Sequence, residues 1–154
     1  MMRRHLAYLR YFLTHKRYVH AECRALGVPL WVALLHDWDK LLPSVWLPYA
    51  RFIYEQDEMK RAQRRDAFLL AKTQHMRRNK HHWQYWEMIG DCGEVECLPI
   101  PDVYRRELLA DWRGAAKSLG QPDLLGWYTE CRDTMRFHPE TLRWLDEQLG
   151  YSAG

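Results

Sequence analysis

The sequence predicts an all-α fold, one domain built as a bundle of about six helices. Three observations carry that prediction. Every strong hydrophobic repeat has the 3.6-residue period of a helix, and none shows the two-residue alternation of a half-buried strand. Gly and Pro gather at a few places between those periodic stretches, with no internal repeat and no low-complexity linker. The chain has 154 residues, 47% of them apolar and 14% aromatic, which is enough to fill the core of one domain.

Residues 3 to 26 read as one long helix, with Tyr8, Leu9, Phe12, Leu13, Val19, Cys23 and Leu26 on one face and Gly27 and Pro29 ending it. Lys16 projects near the middle of that apolar face, with His15 and His20 on its flanks, and the helical wheel does not choose between the two imidazoles. Trp31 to Lys40 reads as a short, almost uniformly apolar helix and therefore a buried one. Pro43 and Pro48 bracket Ser44, an expected N-cap for a helix running towards Tyr54. Residues 55 to 66 are dense in charge and read as a solvated loop or exposed helix, or else as a patch that steers phosphate.

Asp66 opens a second long helix whose stripe collects Phe68, Ala71, His75, Asn79, His82, Trp86 and Ile89. On that wheel His81 projects elsewhere; a break near Asn79 would exchange the roles of His81 and His82. Gly90 to Pro101 is a loop with a weak hairpin signal. Asp102 is expected to cap a helix whose inner face carries Tyr104, Leu108, Asp111, Trp112, Ala115 and Leu119, with Glu107 at the edge of that face. After Gly120-Gln121-Pro122, residues 123 to 135 and 139 to 149 read as two closing helices.

Composition excludes several functional classes. A formal charge of +3 suits a phosphate-bearing ligand but falls short of a nucleic-acid footprint. Cys23, Cys92, Cys97 and Cys131 form no CxxC pair and read as reduced thiols; Cys92 and Cys97 are the one pair spaced for a local metal site. Met1-Met2-Arg3-Arg4 begins like a charged leader, but Arg10 and His15-Lys16-Arg17 interrupt the apolar stretch behind it. No apolar run approaches the roughly 20 residues that span a bilayer. The expectation is a cytoplasmic protein without a membrane partner, whose aromatic content allows a homodimer.

The chemistry concentrates where the apolar run Leu30 to Leu35 drives into His36-Asp37-Trp38-Asp39-Lys40. A carboxylate placed in an interior must be paired or bound to a metal. Three other inward polar groups offer partners: His15 or His20, His75 with His81 or His82, and Asp111. Imidazoles and carboxylates from four helices form a mixed N/O set that suits Zn, Mn, Fe, Co or Ni, whereas Ca and Mg prefer oxygen throughout. Four such ligands hold one ion; six, with a carboxylate bridging, hold two.

In that order, His, then His-Asp, then further His and a late Asp, the chain resembles the HD-domain superfamily of metal-dependent phosphohydrolases, and its bundle is expected to be of that type. His15 with Val19 matches the superfamily's first-helix pattern, which selects His15. His36-Asp37-Trp38-Asp39-Lys40 resembles the HD-x-x-K form of the HD-GYP branch, where the lysine contacts phosphate. His75, His81 and His82 resemble the extra histidines of bimetallic members, and Asp111 fills the place of the late aspartate. His15-Lys16, the HD-W-x-K stretch, the run around His81 and His82, and Ala110-Asp111-Trp112 also resemble a family of small phage and bacterial proteins without an assigned activity. For a phage protein the compartment would be the host cytoplasm. The GYP element is absent, so cyclic-dinucleotide hydrolysis is not implied.

The resemblance implies hydrolysis of a phosphate ester, a nucleotide in the first place, by a metal-activated hydroxide. His15, His36, Asp37 and Asp111 would hold one ion, and His75 with His81 or His82 a second. Lys40 and Lys16 would meet phosphate oxygens, and Asn79 would bind ligand or orient a histidine. Two alternatives share the ligand set: a di-iron oxygenase of the same superfamily, and a catalytically silent metal-stabilised protein that binds a nucleotide or a partner.

Overall fold

Residues 2–121 and 123–152 are described by a computed structural model; Met1, at the leader-like start, and Pro122, in the break before the closing helices, lie outside the described residues. The described residues form eight α-helices: α1 (Met2–Ala25), α2 (Leu30–Leu35), α3 (Pro43–Ile53), α4 (Glu58–Gln63), α5 (Arg65–Arg78), α6 (Asp102–Leu119), α7 (Leu124–Cys131) and α8 (Pro139–Leu149). Three 3-10 turns join them at Trp38–Leu41, Trp83–Trp86 and Arg132–Thr134. One antiparallel hairpin pairs β1 (Glu87–Ile89) with β2 (Val95–Cys97), Met88 opposite Glu96. The fold is all-α, with more and shorter helices than expected.

Each departure has a local cause. The helix expected over residues 31–40 ends at Leu35, and only Val32 and Ala33 of α2 are buried. Its other apolar residues face outward: Trp31 is 60% exposed, and Leu34 and Leu35 are 56% exposed each. A six-residue helix lies on α1 with one face and, among the described residues, leaves the other exposed. The helix expected to reach Ile89 stops where Asn79 turns to extended backbone and its side-chain Nδ2 donates to the carbonyl of His75, 2.9 Å away. Asn side chains compete in this way with the next helical turn.

Ser44 does not cap α3. Leu42 is the N-cap and Pro43, lacking an N–H, takes the first helical position, so the helix starts earlier. Nor does Asp102 cap α6: it is the first helical residue, behind Pro101, and binds Arg105 and Arg106 one turn on. In the charge-dense stretch α4 is exposed as expected, capped by Asp57 through the Lys60 N–H. Glu55 is the exception, being only 4% exposed.

The core falls into three apolar clusters. One gathers Val19, Cys23, Val28, Val32, Ala33 and Ala110; a second Tyr8, Val45, Tyr49, Ala50 and Ala71; a third Ile100, Leu108, Tyr128 and Leu145. The inward stripe of α1 runs Tyr8, Phe12, His15, Val19, Cys23, so His15 stands where that stripe passes from the second cluster to the first. Helices α1 and α6 meet closely at Gly114, where an added Cβ would lie 2.8 Å from the Val19 backbone nitrogen. That approach lies one turn from both His15 and Asp111. Gly114→Ala is therefore expected to cost about 1–3 kcal/mol, as overpacking does, and to weaken metal loading as well, measured by thermal denaturation and by metal content. No described helix is long and apolar enough to cross a membrane.

Candidate metal centre

The chain between α2 and the turn Trp38–Leu41 is built by a residue in an uncommon conformation. Asp37 has φ 58° and ψ 21°, the left-handed region, and is the one non-glycine residue with positive φ among the described residues. Holding it there costs about 1–3 kcal/mol, so neighbouring contacts must over-determine it. The Lys16 ammonium supplies two of them, donating to the carbonyls of Leu34 at 2.8 Å and His36 at 2.7 Å. Lys16 thus holds the end of α2, which accounts for a lysine on an apolar face. The turn delivers His36 and Asp37 inward, 2% and 0% exposed.

The two oxygens of Asp37 face different sets of imidazoles. Oδ2 lies 3.4 Å from both His15 Nε2 and His36 Nε2. Asp111 Oδ1 closes that group, 3.1 Å from His15 Nε2 and 3.5 Å from His36 Nε2. Oδ1 of Asp37 lies 3.4 Å from His75 Nε2 and from His81 Nε2, and His82 Nε2 stands 2.9 Å from His75 Nε2. These are the two four-residue sets whose ligand atoms converge, and Asp37 belongs to both.

Two features of the geometry fit a cation. Buried His15 Nε2, His36 Nε2, His81 Nε2 and Asp37 Oδ1 have no hydrogen-bond partner among the described residues, although buried polar atoms are almost always satisfied. Ligand atoms held around an ion at about 2.0–2.2 Å lie about 3.0–3.5 Å from one another, which is the spacing these atoms show.

A second layer fixes three of the five rings. Glu107 Oε1 accepts from His36 Nδ1 at 2.9 Å and from His81 Nδ1 at 3.2 Å, so one carboxylate oxygen orients a ring in each set and leaves each Nε2 as the lone-pair nitrogen. Asp39, fully buried, does the same for His75, accepting from its Nδ1 at 2.9 Å, from Asn79 Nδ2 at 2.9 Å and from Arg78 at 3.1 Å. His36, His81 and Glu107 also count as a convergent trio, but the Nδ1–H groups already occupy that carboxylate. Lys40 donates to Asp37 Oδ2 at 2.6 Å, its side chain 15% exposed.

Charge accounting explains the protonation states. Asp37, Asp111 and Glu107 bring three negative charges against one ammonium, Lys40. With neutral imidazoles the pocket is therefore two positive charges short. In the metal-free chain protons fill that deficit. Burial opposes charging His15, but Asp111 and Asp37 outweigh it and raise its pKa to about 9. Burial likewise opposes charging His81, and Asp37 with Glu107 raises it to about 10. Desolvation and the neighbouring His81 hold half-buried His82 well below the usual imidazole value. Burial would raise the carboxyls of Asp37 and Asp111, yet the neighbouring cations and imidazoles hold both well below the usual range.

These protonation states set the sign of a pH effect. Imidazoles that hold protons in the metal-free chain must lose them to a metal, so binding releases protons and tightens as pH rises. Divalent metal affinity should climb from pH 6 through about 9, where His15 loses its proton, and level off only above about 10, where His81 has lost its own. Calorimetry in buffers of different ionisation enthalpy should report proton release; heats independent of buffer would contradict it.

Of the residues singled out from sequence, His15, His36, Asp37, His75, His81, His82 and Asp111 come together. The break at Asn79 brings both His81 and His82 inward, where a continuous helix would have admitted one. His20 is absent from the convergent sets. The donors of Asn79 go to Asp39 and to the His75 carbonyl, so it orients a histidine and does not face a ligand. Lys16 likewise spends its ammonium on two carbonyls and is not placed as a phosphate contact. Sequence reasoning missed the roles of Glu107 and Asp39. The four-residue spacing of Glu107 and Asp111 was a usable signal, since it puts both acids on one face of α6.

A family model described as "Family of unknown function (DUF5662)" matches residues 4–151. No curated protein and no solved structure matches the chain.

Proposed function

Since the chain belongs to DUF5662, a family of unknown function, its activity has to be read from the centre itself, and we propose that it is a metal-dependent phosphohydrolase acting on a phosphate ester, in the first place a nucleotide. The observation that carries the reading is the set of orphaned ligand atoms, His15 Nε2, His36 Nε2, His81 Nε2 and Asp37 Oδ1, with the Lys40 ammonium beside them. His15, His36, Asp37 and Asp111 would hold one divalent transition metal, and Asp37, His75, His81 and His82 a second. Such ions, when bound, lower the pKa of water and offset charge on a phosphoryl oxygen.

The chain's own residues do the rest. Asp37 gives one oxygen to each set and so fixes their separation. Glu107 and Asp39 keep the ring protons on Nδ1. Lys40 and the edge of Asp111, each 15% exposed, form the side of the centre open to solvent. There the ammonium would meet a non-bridging phosphate oxygen and stabilise the charge that grows on it. Lys16 acts through the α2 terminus and does not touch substrate.

Elemental analysis of the purified protein, followed by a phosphate-release screen over nucleotides with Mn, Fe, Co, Ni, Mg and Zn, tests the proposal. The expected result is bound transition metal and turnover abolished by a chelator. Protein free of metal that releases no phosphate with any ion would overturn it. Oxygen uptake by the iron-loaded form, without phosphate release, would select the oxygenase.

A further inference from the structure

Helix α3 has two working faces. Val45 and Tyr49 look into the core, with the Tyr49 ring 6.3 Å from that of His75. The stripe carrying Ser44, Leu47, Pro48 and Arg51 looks the other way, into a cleft of about 500 Å³ whose polar walls are Arg4, His5, Arg51 and Arg64. No metal-centre residue and no acid lines this cleft.

We propose that the cleft is a second ligand site, which takes a small organic phosphate by its phosphate group. Two of its three arginines are fixed in advance. Glu55, whose side chain is 1% exposed, pairs with Arg4 through Oε1 and with Arg64 through Oε2. It also accepts from the backbone N–H groups of Gln56 and Asp57 at 3.1 and 3.3 Å. That carboxylate is thereby saturated, while each guanidinium keeps further N–H groups for a ligand. Arg64 is tied in addition to the Arg51 carbonyl at 3.2 Å. Ordering these long side chains before a ligand arrives removes part of the entropy cost of binding.

The charge is uncompensated. Three guanidiniums face one saturated carboxylate, and Arg51 has no ion-pair partner among the described residues. His5 accepts from Trp46 Nε1 at 3.1 Å through Nδ1, which leaves its Nε2 as the proton-bearing nitrogen. The start of α3 lies in the same cleft with no side-chain cap; Pro43 brings no N–H and Val45 and Trp46 donate to the Leu42 carbonyl, so the Ser44 N–H is the backbone donor that end offers an anion. Forked guanidiniums match the paired oxygens of phosphate. Leu47, Pro48 and Ala67 supply an apolar wall that a bare ion would not use, hence an organic phosphate.

The probe is phenylphosphonate, whose carbon–phosphorus bond a phosphatase does not hydrolyse, titrated at low salt into the full-length protein by calorimetry and by amide NMR. Saturable shifts are expected at Ser44, Arg51 and Ala67. Arg51→Glu and Ser44→Asp should each weaken binding about tenfold or more, while Arg77→Glu, the same charge change on α5, should leave it within about twofold. Ser44→Asp separates binding from folding, because an acid in the first turn of a helix leaves melting unchanged or raises it. Equal weakening by all three variants, or shifts confined to residues 36–40 and 75–82, would overturn the site. Inorganic phosphate binding as tightly as the phosphonate would overturn its organic character.

Discussion

Asp37→Ala is expected to empty the metal centre and bring phosphate release down to background. Asp37 alone belongs to both four-residue sets, so its removal takes one ligand from each ion and the bridge between them. Loss of an outer-shell partner already costs about 10–100-fold in affinity or activity, and a shared ligand should cost at least the upper figure. The fold is also expected to weaken. Lys40, which Asp37 pairs at 2.6 Å, would be left as an unpaired, mostly buried ammonium, a change that costs about 3–5 kcal/mol when one partner of a buried pair is removed. Asp37→Asn sharpens the test. The amide keeps one oxygen and turns an N–H2 group towards the other set, so one ion should persist where alanine loses both. Mass spectrometry under native conditions reads the stoichiometry directly. Two ions retained by the alanine variant would show that Asp37 does not bridge.

Much of the centre was legible because periodicity reports which face of a helix points inward. The stripe Tyr8, Phe12, Val19 and Cys23 is visible in the sequence alone, and the same reasoning put His75 and Asp111 inside, whereas the wheel left His15 and His20 open and only the family resemblance selected His15. Periodicity does not report where a helix ends by tertiary means. The left-handed Asp37 depends on Lys16, twenty residues from the His36 carbonyl it binds, and nothing adjacent in sequence announces it. The Asn79 break was legible only as a conditional, since the side chain that causes it is also compatible with a helix. The apolar run of α2 misled for a related reason: composition reports how apolar a segment is, and its burial depends on what packs over it. Glu107 was placed at the edge of its face because the wheel of α6 averages over the whole helix, whereas the centre lies over one turn of it.

Glu107 carries the second large prediction. One of its oxygens serves His36 in one set and His81 in the other, so its loss should disturb both ions, although it ligates neither. Glu107→Gln keeps an acceptor in place but removes the charge that raises the basicity of both rings, and about a tenfold loss of metal affinity is expected. Glu107→Ala leaves two buried Nδ1–H groups without a partner. Either ring is then free to move its proton to Nε2, which blocks the ligand atom, and the loss should approach about 100-fold. Asp39→Asn provides the contrast. Asp39 holds His75 alone, with Asn79 and Arg78, so only the ion on the Asp37 Oδ1 side should weaken. Competition against a chelator of known affinity, read separately for the first and second ion, distinguishes the two patterns. If Glu107→Ala affected a single ion, or neither, the shared oxygen would be a packing contact and the two sets would load independently.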